Sequence, residues 1–158
     1  FNSSILLPAN LYGPNDNFDL EKSHVVPALI RKFLYAKEHN SPFVEVWGTG
    51  KATREFLYVE DTAKAILDVA EKFNHSGPLN LGTGTETSIK ELVETIVDII
   101  GYDGDIIWNT DRPDGQPRRF YCMERFRKHM GYVPSTSLRE GLEKTIDWYL
   151  NSGDKKRL

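Results

Sequence analysis

The positions of apolar residues along the chain predict alternating strands and helices. In four stretches, apolar residues recur three or four positions apart, which is typical of helices that bury one face. The first helix is predicted to start close to His24, and the others to follow the capping residues Asp61, Ser88 and Ser137. Their apolar faces comprise Val26, Leu29, Ile30, Phe33 and Leu34; Ala65, Ile66, Val69, Ala70 and Phe73; Ile89, Leu92, Val93, Ile96 and Ile100; and Leu138, Leu142, Ile146 and Tyr149.

Short apolar runs between these helices predict strands. They are residues 5–7, FVEVW, REFLYV and PLNL. The stretch GDIIWNTDRPDGQPRRFYC predicts a strand, a turn and then a second strand or extended segment. A short apolar strand such as residues 5–7 is expected to be buried between strand neighbours. The fold class that follows is mixed α/β, with strands and helices interleaved.

Composition narrows the class of protein. The chain has 158 residues, of which 39% are hydrophobic and 27% charged, as in globular proteins with one core. Its 20 basic and 23 acidic residues are interspersed and give a net charge of −3, which argues against a nucleic-acid partner. No apolar run approaches the ~20 residues of a membrane-spanning helix. The single cysteine excludes an internal disulfide and fits a reducing compartment, so we expect a cytoplasmic protein.

Several residues offer chemistry, and each also has a plain structural interpretation. The sequence GTG occurs at residues 48–50 and 82–84, but neither copy completes a phosphate-binding motif, so turns are favoured. The four histidines lack the spacing of metal ligands, and no metal is expected. Cys122 lies among aromatic residues and is predicted to be a buried small hydrophobe rather than a nucleophile. For Arg54, Arg118 and Arg119, contact with a phosphate and simple solvation are both open.

Five motifs, taken in their order along the chain, resemble the carboxyl-terminal half of the GDP-L-fucose synthases. These enzymes are epimerase-reductases of the extended short-chain dehydrogenase/reductase family. The motifs are PANLYGP, SHVVPALIRKF, VWGTGKATREFLYVED, NLGTG and RPDGQPRR. The resemblance implies the last strands of a Rossmann-type parallel sheet, near residues 4–13 and 54–85, and a smaller carboxyl-terminal mixed α/β substrate-binding domain. Residues 1–158 would then be a carboxyl-terminal fragment without the amino-terminal dinucleotide-binding half.

The resemblance also implies an activity. The family converts GDP-4-keto-6-deoxy-D-mannose to GDP-L-fucose by epimerising the two carbons that flank the keto group and then reducing the ketone with NADPH. A GDP-sugar and NADP are therefore the expected substrate and cofactor, and a homodimer the expected assembly. His24 matches the family histidine that acts as general acid in the epimerisation. Trp47 and Arg54 match substrate-contacting residues, and Asp114 and Arg119 match further substrate-side positions.

Other residues are assigned by the same resemblance. Lys32 stands where the family usually has an arginine that contacts the diphosphate, and lysine lacks the bidentate fork of that arginine. Arg31 lies seven residues after His24, at nearly the same helical angle, so it is expected to share this contact. The positions that match those lying against the nicotinamide end of NADPH are Pro8, Ala9, Asn10 and Leu11, together with His24.

Three elements of the family are absent from this sequence. They are the dinucleotide fingerprint, the catalytic Tyr-x-x-x-Lys and the epimerisation cysteine, whose position Cys122 does not match. We therefore expect the chain to be a fragment or part of a longer protein, and to be inactive by itself. Two alternatives stay open. One is a fragment of another nucleotide-sugar epimerase or dehydratase. The other is a non-catalytic nucleotide-sugar-binding or interaction module that associates through the strand at residues 5–7.

Overall fold

The computed structural model describes residues 3–19 and 22–152, so the outermost ends of the predicted 1–158 unit lie outside the described residues. Helices and strands alternate along these residues, as the apolar pattern predicts. In chain order the elements are β1 (Leu6–Pro8), β2 (Asn10–Tyr12), α1 (Val25–Glu38), β3 (Phe43–Trp47), β4 (Thr53–Arg54), β5 (Phe56–Tyr58), α2 (Val59–Lys72), β6 (Leu79–Leu81), β7 (Thr87–Ser88), α3 (Ile89–Ile100), β8 (Asp105–Asn109), α4 (Glu124–Met130) and α5 (Leu138–Asn151).

The strands form short, mostly parallel ladders. β1 pairs with β6, β2 with β5 and β3 with β8, all in parallel, whereas β4 and β7 are antiparallel. The chain changes partner between β1 and β2: the Ala9 N–H donates to the carbonyl of Leu81 (2.8 Å), and the Asn10 N–H to the carbonyl of Glu55 (3.2 Å). The predicted mixed α/β fold with parallel strands is therefore confirmed.

Two apolar clusters lie on opposite sides of β5. Phe56 and Tyr58 belong to the first, which we call the α1 cluster because it is built from α1, α3, α5 and β3. Leu57 belongs to the second, the α2 cluster, which joins α2, α4, β1 and β6. Because successive side chains of a strand point to opposite faces, one short strand supplies both clusters.

The predicted helix boundaries at α3 and α5 are confirmed by their caps. The Ser88 hydroxyl accepts the N–H of Glu91 (3.0 Å), and the Ser137 hydroxyl accepts that of Glu140 (3.2 Å). Each bond satisfies one of the amide groups that the first helical turn leaves without a partner. Gly101 ends α3 in the left-handed region, at φ +68°, as helix-terminating glycines commonly do. Local sequence signals are sufficient for these ends.

The predictions for α2 need correction. Asp61 does not cap it, because the helix begins directly after β5 with Tyr58 as its N-cap residue. Asp61 lies in the first turn and accepts the N–H of Thr136 (3.0 Å). Of the predicted apolar face, Ile66 is 50% exposed and Ala70 is also exposed. Helical spacing identifies a face, but neighbouring elements decide how wide a stripe of it they cover.

Other local predictions are wrong or incomplete. The strand predicted at residues 5–7 runs from Leu6 to Pro8, and Ile5 and Leu7 are exposed rather than buried. Cys122 is also exposed, because it lies in the irregular segment before α4. The predicted run REFLYV is interrupted at Glu55, which separates β4 from β5. The sequence pattern missed β2 and α4, which are only three and seven residues long.

The buried ring of Phe33 gives a test of the α1 cluster. Phe33 is fully buried in α1, so Phe33→Ala should lower the free energy of unfolding by about 3–5 kcal/mol through lost burial and a residual cavity. Chemical denaturation followed by circular dichroism measures this loss.

Phe43→Ala is the matched control for this prediction. The Phe43 ring is 52% exposed on β3, and its removal should change the free energy of unfolding by only about 0.5 kcal/mol. Equal losses in the two variants would contradict the packing described for Phe33.

Candidate functional site

A cavity of about 620 Å³ brings together most of the residues that the sequence singled out. It lies where the end of β1, the start of α1, the end of β3 and the segment after β8 approach one another. Its walls include apolar groups from Val25, Val26 and Phe56. The predicted site residues that line it are Pro8, Ala9, Asn10, Leu11, His24, Trp47, Arg54, Asp114 and Arg119.

Strand and helix ends position these residues. Pro8 is the last residue of β1, so residues 8–11 lie at the carboxyl end of a parallel strand, where open α/β sheets bind ligands. His24 is the N-cap residue of α1 and has extended backbone angles, and its side chain makes no capping hydrogen bond. Within residues 3–19 and 22–152 the imidazole has no hydrogen-bond partner. It is exposed at the cavity and available to a ligand.

Asp114 joins the segment after β8 to the turn after β3, at one side of the cavity. One carboxylate oxygen accepts the N–H of Thr49 (2.6 Å), and the other accepts the Thr49 hydroxyl (2.7 Å). The hydroxyl bond, followed by the amide bond, lowers the pKa of Asp114. Gly48 lies beside this contact at φ +84°, and a Cβ there would come within 2.3 Å of the carboxylate. The first GTG sequence is therefore a turn held by hydrogen bonds to Asp114, as the turn interpretation predicts.

The three arginines in this region differ in whether a carboxylate balances their positive charge. Arg118 forms an ion pair with Glu86 (2.7 Å). Arg54 instead donates to the carbonyl of Thr53 (2.7 Å), and Arg119 donates to the hydroxyl of Tyr121 (2.8 Å). Both acceptors are uncharged, and in the described part of the chain neither guanidinium forms an ion pair. The cavity is thus lined by two arginines without an ion-pair partner and by one carboxylate, that of Asp114, which is hydrogen-bonded to Thr49. Two cations against one anion suit an anionic ligand.

Trp47 presents an aromatic surface at the cavity. Its side chain is 60% exposed at the end of β3, and the guanidinium of Arg112 lies 5.0 Å from the ring centroid. Stacking of this kind is a favourable cation–π contact. Sequence reasoning missed Arg112, although it stands at the start of the RPDGQPRR motif, where its nearness to Pro113 and Asp114 was the available signal.

Two predicted substrate residues lie away from the cavity. Arg31 donates to the carbonyl of Phe18 (2.8 Å), and Lys32 donates to the carbonyl of Glu45 (2.7 Å). Arg31 lines a groove between α1, α3 and α5 instead. The helical-angle argument fails because His24 precedes α1 in extended conformation and so does not share the helix's geometry. Substrate contact by Arg31 and Lys32 stays a prediction that the geometry of the cavity does not support.

Other features of the described residues offer less chemistry. A cavity of about 710 Å³ lies between α2, the segment after it and the residues around the start of β1. Its lining mixes serine and aliphatic side chains with the polar or ionisable residues Glu71, Asn74 and His75. Across residues 3–19 and 22–152, no group of three or more His, Cys, Asp and Glu is placed to hold a metal ion. None of the helices described is long and apolar enough to cross a membrane.

Sequence comparison identifies the family. The pattern of the NAD dependent epimerase/dehydratase family matches residues 1–82, just over half of the chain. The chain belongs to this family. That region includes His24, Trp47 and Arg54, whereas Asp114 and Arg119 follow it.

Individual members of the NAD dependent epimerase/dehydratase family support this placement. The chain is 43% identical over 146 residues to GDP-L-fucose synthase 1 of Arabidopsis thaliana, covering 92% of this chain and 45% of that protein. It is 40% identical over 161 residues to the GDP-L-fucose synthase of Escherichia coli K12, covering 96% and 50%. A crystal structure of a GDP-L-fucose synthetase from Naegleria fowleri bound to NADP superposes with a TM-score of 0.90 at 28% identity, covering 97% and 47%. The chain spans about half the length of these relatives.

The ion pair between Glu86 and Arg118 gives a pH prediction. Hydrogen bonds from Arg118, and next from Thr53, lower the pKa of Glu86 from 4.5 to about 2. Because the folded state favours the carboxylate, the pair stabilises the fold above about pH 4.5. That stabilisation is lost as the pH falls from about 4.5 towards 2. An NMR titration of the Glu86 carboxyl should show a midpoint near 2.

Arg118→Gln provides the comparison for this titration. Without the guanidinium, the midpoint of Glu86 should rise towards its ordinary value, because the largest cause of the lowered pKa has been removed. A wild-type midpoint near 4.5 would show that the ion pair is not formed in solution.

Proposed function

We propose that this chain is the substrate-binding half of a GDP-L-fucose synthase-like enzyme. Such an enzyme converts GDP-4-keto-6-deoxy-D-mannose to GDP-L-fucose by epimerisation at carbons 3 and 5 and NADPH-dependent reduction at carbon 4. The observation that carries the proposal is the single cavity that holds His24, Trp47, Arg54 and Arg119 together. The similarity to the plant and bacterial GDP-L-fucose synthases over nearly the whole chain supports it.

The diphosphate of the substrate is assigned to Arg54 and Arg119. Both guanidinium groups line the cavity and have only neutral acceptors. A planar guanidinium donates two parallel hydrogen bonds to phosphate oxygens and adds a full positive charge. Arg118 is the neighbouring arginine, but its charge is balanced by Glu86. This distribution favours a ligand with two adjacent anionic groups at the cavity.

His24 and Trp47 are assigned to the remainder of the substrate. Trp47 offers a largely exposed aromatic face, which suits the apolar surface of a base or sugar ring. His24 has an imidazole without a hydrogen-bond partner in the described residues, and the ring is exposed at the cavity. It is therefore suited to hand a proton to a substrate carbon during epimerisation.

Residues 8–11 would hold the reactive end of the cofactor. They follow a parallel strand and line the same cavity as His24, which fits the position of a ligand at the carboxyl end of a sheet. The Asn10 side chain donates to the carbonyl of Glu55 (3.2 Å) and so fixes this turn beside β5. When bound, NADPH supplies the hydride for ketone reduction. The remainder of the NADPH site is assigned to the amino-terminal half.

Exposed apolar side chains support the view that more protein covers this half. Ile5 just before β1, Leu7 on β1, and Ile66 and Leu67 on α2 are each more than two-fifths exposed. Within each pair the residues lie close along the chain, and grouped exposed apolar side chains are typical of an interface. We assign these side chains to contact with the amino-terminal half and expect the isolated chain to be inactive. For the whole enzyme, we propose a homodimer in the cytoplasm.

Nucleotide selectivity tests the proposed function. In the full-length protein that contains this chain, isothermal titration calorimetry should show binding of GDP in preference to UDP. Arg54→Ala should weaken GDP binding by about 1.5–3 kcal/mol, the range for hydrogen bonds to charged groups.

Arg118→Ala is the matched control for the titration. Its charge is already balanced by Glu86, so its removal should leave the affinity for GDP nearly unchanged. Preference for UDP would instead favour another nucleotide-sugar epimerase or dehydratase. Absence of binding to either nucleotide would contradict the proposed substrate class.

Isotope exchange tests the role of His24. In deuterium oxide, His24→Ala should lose incorporation of solvent deuterium at one of the two epimerised carbons, because its proton donor is missing. Reduction of a substrate that is already epimerised should survive. Mass spectrometry and NMR of the product measure both effects.

His39→Ala is the control on the same helix. The ring of His39 stacks on Tyr35 at the opposite end of α1, away from the cavity, so this variant should exchange as the wild type does. Unchanged exchange at both carbons in His24→Ala would remove His24 from the mechanism.

A further inference from the structure

A fully buried carboxylate lies directly behind the candidate site. Glu55 separates β4 from β5, and its side chain is 0% exposed. One oxygen accepts the N–H of Gly84 (2.6 Å) and the hydroxyl of Thr83 (3.4 Å). The other oxygen accepts the N–H of Tyr121 (3.1 Å). Burying a carboxylate is costly unless donors surround it, and here the donors come from two segments far apart in sequence.

The groups held by Glu55 are next to those that line the cavity. Its chain neighbours Arg54 and Phe56 both face the cavity. Tyr121 is two residues beyond Arg119, and its hydroxyl accepts a hydrogen bond from the Arg119 guanidinium. The backbone carbonyl of Glu55 accepts both the N–H and the side-chain amide of Asn10 (3.2 Å each). Glu55 therefore bonds to two of the segments that form the site, residues 8–11 and the segment around Arg119, and itself belongs to a third.

We propose that Glu55 is a positioning residue that fixes Arg119 and Arg54 on the same side of the cavity. Its carboxylate ties the segment that carries Arg119 to the strand that carries Arg54. Further out, the same segment is bound by backbone hydrogen bonds, from Thr53 N–H to the Pro117 carbonyl (2.9 Å) and from Arg119 N–H to the Thr53 carbonyl (3.2 Å). These outer bonds fix the position of the backbone before Arg119, and Glu55 fixes it after Arg119. The assignment of a diphosphate to this pair rests on the proposed function.

The second GTG sequence is shaped around this carboxylate. A Cβ at Gly82 would lie 2.1 Å from the nearer oxygen of Glu55, so any larger residue there would displace the carboxylate. The N–H of Gly84 is occupied by Glu55 rather than facing outward. This turn therefore serves the positioning of Glu55.

Glu55→Gln gives the sharpest test because it keeps the size of the side chain. In the glutamine variant, an amide NH2 group takes the place of one carboxylate oxygen and cannot accept the backbone N–H that faces it. One hydrogen bond of the side chain is therefore lost, and no cavity is created. In the full-length protein, the KM for the GDP-sugar should rise at least tenfold while kcat changes less than threefold. Hydrogen exchange in peptides spanning residues 115–122 should become faster, whereas exchange in α1 should not.

Glu86→Gln is the matched control. Glu86 holds the same segment through Arg118, whose side chain is 65% exposed, so their ion pair contributes little. Its KM should stay within twofold of the wild-type value. Gly82→Ala is a second variant, which displaces the carboxylate without altering it and should reproduce the rise in KM even if Glu55→Gln fails to fold.

The outcomes separate positioning from mere stability. A lower melting temperature in Glu55→Gln with an unchanged KM, measured well below melting, would overturn the proposal, as would unchanged exchange at residues 115–122. If the wild-type protein does not accept a GDP-sugar, the proposed function fails. The exchange data alone then decide whether Glu55 holds the segment beside Arg54.

Discussion

The change of strand partner between Ala9 and Asn10 is the constraint on which the rest of the structure depends. A buried backbone must find a partner for each polar group, and here consecutive N–H groups donate to the carbonyls of Leu81 and Glu55. The α1 and α2 clusters are thereby joined through one extended stretch. The same stretch ends β1 at Pro8 and places the next residues at the cavity. Fold and site therefore share one set of backbone hydrogen bonds.

The backbone arrangement gives the adjacent residues Arg118 and Arg119 different partners for their charges. The segment that contains them runs beside β4 and bridges to Thr53. Side chains of an extended segment alternate in direction, so one guanidinium reaches Glu86 while the next reaches Tyr121. Arg118 therefore forms an ion pair at the surface. The positive charge of Arg119 lies at the cavity, where its hydrogen-bond acceptor is the neutral hydroxyl of Tyr121. Composition alone contains no such distinction.

How well a feature can be predicted from the sequence depends on how far apart along the chain the interacting residues lie. The starts of α3 and α5 were predicted correctly because a serine cap acts within a single helical turn. The interruption at Glu55, the strand β2 and the start of α2 depend on partners that are distant along the chain. Asp61 has the composition of a cap, but it is satisfied by Thr136, 75 residues away. Local propensity cannot anticipate such contacts.

The same limit applies to the candidate site. Resemblance to a family predicted nine residues that line one cavity. The helical-spacing argument for Arg31 has no support from this geometry, because His24 lies outside the helix, and substrate contact by Arg31 stays a prediction. Glu55 lies within the motif VWGTGKATREFLYVED, but its contacts are with Gly84 and Tyr121, which are far away along the chain. The groups that hold the cavity residues in position become recognisable only when the separate segments are seen together.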